Sequence, residues 1–184
     1  MLIPLGILAA SGASAGSFDL LETQVLSSAT SSVTFSSLST YASSYQHLQL
    51  RIVGVTSVDT DIRFRINGDT GNNYAFHTLY GTGSSVVSGA VTSTNGGYVG
   101  YSKLTAASGN QFGAVVDFLD AFETTKNKTA RSFYGNRHSS SDPLVMLNSA
   151  AWFNTAAISS LVFYGASGNI NATSRFSLYG IRAS

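Results

Sequence analysis

Apolar and polar residues alternate with a period of two along most of this chain, and clusters of Gly, Asn and Ser interrupt the alternation every ten to twenty residues. Side chains along a β-strand point alternately to opposite faces, so this rhythm predicts short, half-buried strands. The clearest run is residues 61–67, where Ile62, Phe64 and Ile66 alternate with Arg63 and Arg65. Val33 and Phe35 share a face within residues 31–36, and Leu48, Leu50 and Ile52 oppose Gln49 and Arg51 within residues 47–55. Further strands are predicted over residues 20–26, 74–80, 112–120, 129–135, 144–153, 158–164 and 175–181, with a weak segment at 98–101, giving roughly ten in all. The tract from Asn67 to Asn73 is a turn by composition, because Gly and Asn tolerate positive φ and Asp bonds to its own backbone. Only residues 118–126 offer an alternative helical phase. Residues 82–97 are almost entirely Ser, Thr, Val and Gly, which fits an extended excursion or an edge element better than a core strand.

These elements predict an all-β fold. Two antiparallel sheets packed face to face, a jelly-roll-like β-sandwich over residues 18–184, would follow an extended N-terminal arm over residues 1–17. An edge strand that carries little charge invites pairing with another chain. This chain has few Lys or Glu to blunt its edges, and covering by a copy of itself solves the problem.

Composition sharpens the picture. The 184 residues are 43% hydrophobic but only 10% charged, against about a quarter charged in an ordinary soluble domain. Ser and Thr supply about a quarter of the residues, so the surface is neutral and rich in hydroxyls, which suits a protein packed among neighbours. Ten Lys and Arg against nine Asp and Glu give a net charge of +1; no basic field holds nucleic acid. The absence of Cys excludes disulfides, thiolate metal sites and a Cys nucleophile.

The opening ten residues are apolar, but Pro4 and Gly6 interrupt them and the run falls far short of a membrane span. The first cationic side chain is Arg51, so the basic start of a secretory signal is missing and the arm is expected to be retained. Leu2, Ile3, Leu5, Ile7 and Leu8 precede a small-residue tether from Ala9 to Ser17. Such an arm either tucks under its own domain or docks on another chain. Leaving five large aliphatics in water forgoes roughly 1.5–3 kcal/mol each, which favours docking.

Candidate chemistry is sparse. His47, His77 and His138 show no metal-ligand spacing. Asp59, Asp61 and Asp69 flank one predicted strand, and the Asp69 loop offers oxygens to calcium, although an Asx turn explains the same letters without the EF-hand spacing. Asp117, Asp120 and Glu123 resemble a carboxylate pair for glycoside hydrolysis, yet Lys126, Lys128 and Arg131 follow at once, and a surface ion-pair cluster is the simpler reading. Tyr74, Tyr80, Tyr98, Tyr101, Trp152 and Phe153 can form either a sugar platform or core. Nucleophile and phosphate-loop motifs are absent, and the Asn127 and Asn171 sequons carry no weight without a secretory signal. The expectation is a protein that is not an enzyme and needs no cofactor.

Several phrases carry a resemblance. Ser17-Phe18-Asp19-Leu20-Leu21-Glu22-Thr23, Ser32-Val33-Thr34-Phe35-Ser36, Tyr45-Gln46-His47-Leu48-Gln49-Leu50-Arg51, the run from Arg65 to Ala75, and the run from Ser174 to Ile181 resemble a group of small virion proteins of tailed bacteriophages. The first ten residues look like theirs as well, and residues 82–108 match least. The resemblance implies a jelly-roll-like protein on the capsid surface, a decoration or cement protein bound to the major capsid protein and often trimeric. A tail or fibre component with a receptor- or carbohydrate-binding role is the alternative. Either way no nucleic acid or membrane partner is expected.

Overall fold

The structure is a computed structural model that describes residues 17–102, 111–137 and 143–182. The strands are β1 (Phe18–Val25), β2 (Ser32–Phe35), β3 (His47–Gly54), β4 (Thr60–Ile66), β5 (Tyr74–Gly81), β6 (Val86–Thr94), β7 (Gly97–Ser102), β8 (Phe112–Leu119), β9 (Lys128–Arg137), β10 (Pro143–Trp152), β11 (Leu161–Gly165) and β12 (Arg175–Ile181), with one 3-10 turn at Leu38–Tyr41. They form an eight-stranded sheet in the order β1-β12-β3-β8-β9-β10-β5-β6 and a four-stranded sheet in the order β2-β11-β4-β7. Every pairing within them is antiparallel. The protein is an all-β sandwich.

Four pairings are nested in sequence: β1 with β12, β2 with β11, β3 with β8 and β4 with β7. A long hairpin rolled across two sheets gives this pattern, which is that of a jelly roll. Two hairpins interrupt the roll. The β5–β6 pair is inserted between β4 and β7, and β9–β10 between β8 and β11; both extend the larger sheet beyond β8.

Between the sheets lies an aromatic cluster centred on Phe163 of β11. Its ring is 6.5 Å from that of Phe35, 6.2 Å from those of Phe64 and Phe118, and 6.2 Å from that of Phe176, so one side chain joins β2 and β4 to β8 and β12. All five rings are buried, and edge-on contacts such as Phe118 on Phe163 match the preferred aromatic geometry.

The weak Tyr98–Tyr101 segment of the sequence is the most completely buried strand. Two glycines make this possible: a Cβ on Gly97 would stand 2.1 Å from the Phe64 ring, and one on Gly100 would stand 2.3 Å from the Tyr134 ring. Side chains of the opposite sheet then satisfy the β7 backbone. Ser132 Oγ and Asn148 Nδ2 each donate to the Val99 carbonyl at 2.8 Å, and Asn136 Nδ2 donates to that of Tyr101 at 2.8 Å. A buried carbonyl without such a partner is costly, which explains polar residues at inward positions of β9 and β10.

Residues 82–97 prove to contain β6, a nine-residue strand at the edge of the larger sheet. The predicted strand at 158–164 begins only at Leu161, with Ile158 buried in the preceding loop. The helical phase at 118–126 is not used, since β8 runs to Leu119 and Asp120 turns the chain with φ 46°.

Phe163→Ala should lower unfolding stability by about 3–5 kcal/mol through the cavity it leaves, and Asn148→Ala by about 1–3 kcal/mol through loss of its two buried bonds, to the Val99 carbonyl and to Ser132 Oγ. Leu147→Ser, on the solvent face of the same strand as Asn148, should change it by about 0.5 kcal/mol or less. Denaturant unfolding with an unchanged slope checks all three.

Candidate functional site

The outer face of the larger sheet, which turns away from the smaller one, carries the most unusual surface. Successive registers place Arg51, Val115, Phe133, Leu147, Leu79 and Ser88 in one row across β3, β8, β9, β10, β5 and β6. The four central members are apolar, and three of them stand about half in water: Phe133 at 56%, Leu147 at 53% and Leu79 at 47%. Val145 and Val86 extend the patch on the neighbouring row. On its other side runs a polar row, Asp117, Arg131, Ser149 and His77. Together the rows line an open groove of about 790 Å³. Contiguous apolar surface of this kind marks an interaction site.

Nearer β1 the same face is closed. Phe18 stacks on Tyr179 with ring centroids 4.7 Å apart, and the Arg51 guanidinium lies 5.1 Å from each ring. A delocalised cation over two rings covers their apolar area and keeps the row beyond it distinct.

The candidate polar residues do not converge. His47 Nδ1 accepts the backbone N–H of Asp120 at 2.8 Å, and the Asp120 carboxylate accepts from Gln46 Nε2 at 2.7 Å and faces Lys126 at 3.5 Å. Glu123 folds back to accept the N–H groups of Thr124 and Thr125 at 2.7 and 2.9 Å. Asp117 accepts from Gln49 Nε2 at 2.8 Å on the outer face. Each carboxylate therefore serves a separate local structure, and the ion-pair cluster reduces to Lys126 with Asp120. Lys128 is buried: its Nζ donates to the carbonyls of Glu123, Lys126 and Thr155, tying the loop after β8 to the one after β10. Burial pulls its ammonium below the usual lysine range. His77 is exposed on the rim of the groove, and His138 lies outside the described residues.

Asp69 closes the Asn67–Asn73 turn. Its carboxylate accepts from Trp152 Nε1 at 2.7 Å, Gly71 N at 2.8 Å and Asn73 Nδ2 at 2.9 Å, an Asx turn locked to the core tryptophan. Asp61 pairs with Arg63 at 2.8 Å, and Asp59 is exposed. Among the described residues no three His, Asp or Glu side chains come together as metal ligands. Tyr74, Tyr98 and Trp152 are core residues, with Tyr74 stacked on Trp152 and Phe76 on Tyr98. Tyr80 and Tyr101 are half-buried, and only Phe153 of the six is exposed.

The arm residues Leu2, Ile3, Leu5, Ile7 and Leu8 lie outside the described residues. The apolar row was not foreseen, although its signal was present: Leu144-Val145-Met146-Leu147 is a continuous apolar run, and a strand apolar on both faces expects cover on both.

No protein-family model, curated protein or solved structure matches this chain. Among the described residues no helix is long and apolar enough to cross a membrane.

The Trp152 indole and the two neighbouring N–H donors hold the Asp69 carboxyl below the ordinary carboxylate range. A depressed folded-state value contributes stability that is complete above the unfolded value, about 3.9, and is lost as pH falls through the folded one. Acid titration of the single tryptophan's fluorescence should therefore show a transition below about pH 3.9, and Asp69→Asn should remove it.

Proposed function

We propose that this chain is a non-enzymatic structural protein of a tailed-phage particle, a decoration or cement protein bound on the capsid surface to the major capsid protein. The observation that carries this reading is the open apolar row of Val115, Phe133, Leu147 and Leu79 on a chain of low charge. A surface of that kind is stable where neighbours cover it. The sequence resemblance to phage virion proteins and the rolled two-sheet architecture support the same assignment.

In this mechanism the sandwich is a rigid body and the arm is the fastener. Leu2, Ile3, Leu5, Ile7 and Leu8 bury in a groove of a neighbouring subunit, and an arm passed from copy to copy in a closed ring gives a trimer. Repetition over the shell multiplies modest contacts by avidity. Whatever binds only the assembled state opposes its disassembly by mass action. A glycan- or receptor-binding role on a tail fibre would have to operate without Tyr74, Tyr98 and Trp152, which are committed to the core.

Removal of residues 1–16 should abolish stable occupancy on purified shells that lack the protein, while the thermal unfolding midpoint of the domain stays close to that of the full chain. Undiminished occupancy would defeat the fastening mechanism.

A further inference from the structure

Four strands end the two sheets: β1 and β6 in the larger, β2 and β7 in the smaller. Each presents backbone N–H and C=O groups that no ladder among the described residues satisfies, and proteins ordinarily guard such edges. Three are guarded here. β1 carries Asp19 and Glu22 and is bulged between Leu20 and Glu22. β2 is only four residues long, and Gln24 Nε2 donates to its Thr34 carbonyl at 2.8 Å. β7 is pressed against β9 and β10, whose Ser132, Asn136 and Asn148 reach the Val99 and Tyr101 carbonyls.

β6 is long and uncharged, and its one irregularity lies near its end, beyond Val91. Eight of its nine residues are exposed, on both faces of the sheet. Residues 82–97 contain no Asp, Glu, Lys, Arg or Pro. Residues 86–91 therefore form a regular, neutral edge that no other described strand pairs.

We propose that a second copy of this chain docks on this edge, the two β6 strands pairing antiparallel about a twofold axis through Gly89, so that the larger sheet continues from one copy into the other. Charge and shape on the strand fit a copy of itself. Paired about a twofold axis, the strand faces its own sequence reversed, so like charges placed evenly about Gly89 would oppose one another, and this strand carries no charge. Centring on Gly89 sets Val87 of each copy opposite Val91 of the other, with Ser88 opposite Ala90 and Val86 opposite Thr92. Every opposed pair is small or apolar, the kind of cross-strand pairing that stabilises an antiparallel ladder.

The groove supports the same occupant. Ser88 and Ala90 form its outer rim, so a second copy continues the floor of the groove instead of ending it, and shelters Val86. This contact is independent of what the protein decorates and of the arm. The arm enters at β1 and the proposed contact lies at β6, the opposite edge of the same sheet. Closed rings formed through arms can therefore be joined to one another through β6, which converts separate trimers into a net.

The chain lacks cysteine, which makes cross-linking a clean test. A Cβ at Gly89 would touch only the Thr78 methyl, at 3.4 Å, so Gly89→Cys should fold normally and bring two thiols together on the axis. Under mild oxidation it should form a covalent dimer about tenfold faster, or more, than Val25→Cys on the exposed β1 edge, because docking raises the effective thiol concentration. In the Cys-free chain, Val87→Lys/Val91→Lys should lower the mass found by sedimentation equilibrium about twofold or more, since a lysine then stands directly opposite a lysine on each side of the axis, with no change in circular dichroism. Cross-linking of Gly89→Cys no faster than that of Val25→Cys, or an unchanged mass for Val87→Lys/Val91→Lys, would overturn the proposal.

Discussion

An open sheet leaves backbone donors and acceptors unpaired along both of its edges, and where those groups find partners governs the rest of this molecule. The nested pairings of the jelly roll satisfy the interior strands. The inserted β5–β6 and β9–β10 hairpins then carry the free edge of the larger sheet outward from β8, which lies over the core, to β6, which stands clear of it. Backbone groups that would be expensive to leave unpaired beside the core are thereby moved to a place where another chain can reach them.

The core makes the insertion tolerable. Phe163 and the four rings around it join both sheets at the centre of the roll, and the extended part of the larger sheet is held by a different device. There Gly97 and Gly100 let β7 approach closely, and Ser132, Asn136 and Asn148 fasten its carbonyls. Charge has a small share in this arrangement. The ion pairs of the described residues, such as Asp61–Arg63 and Asp19–Arg182, are partly exposed and contribute little each. A neutral exterior gives up charge repulsion as a defence against association, so the apolar outer row and the bare β6 edge are compatible with a protein that works among copies of itself.

Much of the fold was legible because burial on one face imposes a period of two. Ile62, Phe64 and Ile66 marked β4, Leu48, Leu50 and Ile52 marked β3, and the Asn67–Asn73 turn followed from residues that tolerate positive φ, as Asn67 and Gly68 do. β7 was faint because its glycines are selected for close approach and carry no hydrophobic signal. β6 was readable only as an edge element, since a strand with both faces in water has no apolar period to display. The order of strands was beyond the sequence, because it depends on pairings between residues more than a hundred positions apart, such as Phe18 with Ile181. Of the candidate polar residues, the Asp69 turn was legible from composition. The burial of Lys128 was not: three carbonyls from two loops solvate its ammonium, and neither loop identifies the other in sequence.

One asymmetry underlies the molecule: three edges are guarded within the chain, by charge, a bulge, shortness or side-chain bonds, and the β6 edge is left bare. Amide hydrogen exchange across β6 tests it most directly. If a second copy pairs with this strand, both the amides of residues 86–91 that bond to β5 and those that point away from it will be protected at concentrations where the protein associates, and the outward set will lose protection on dilution. Rapid exchange of the outward amides at every concentration would contradict the account.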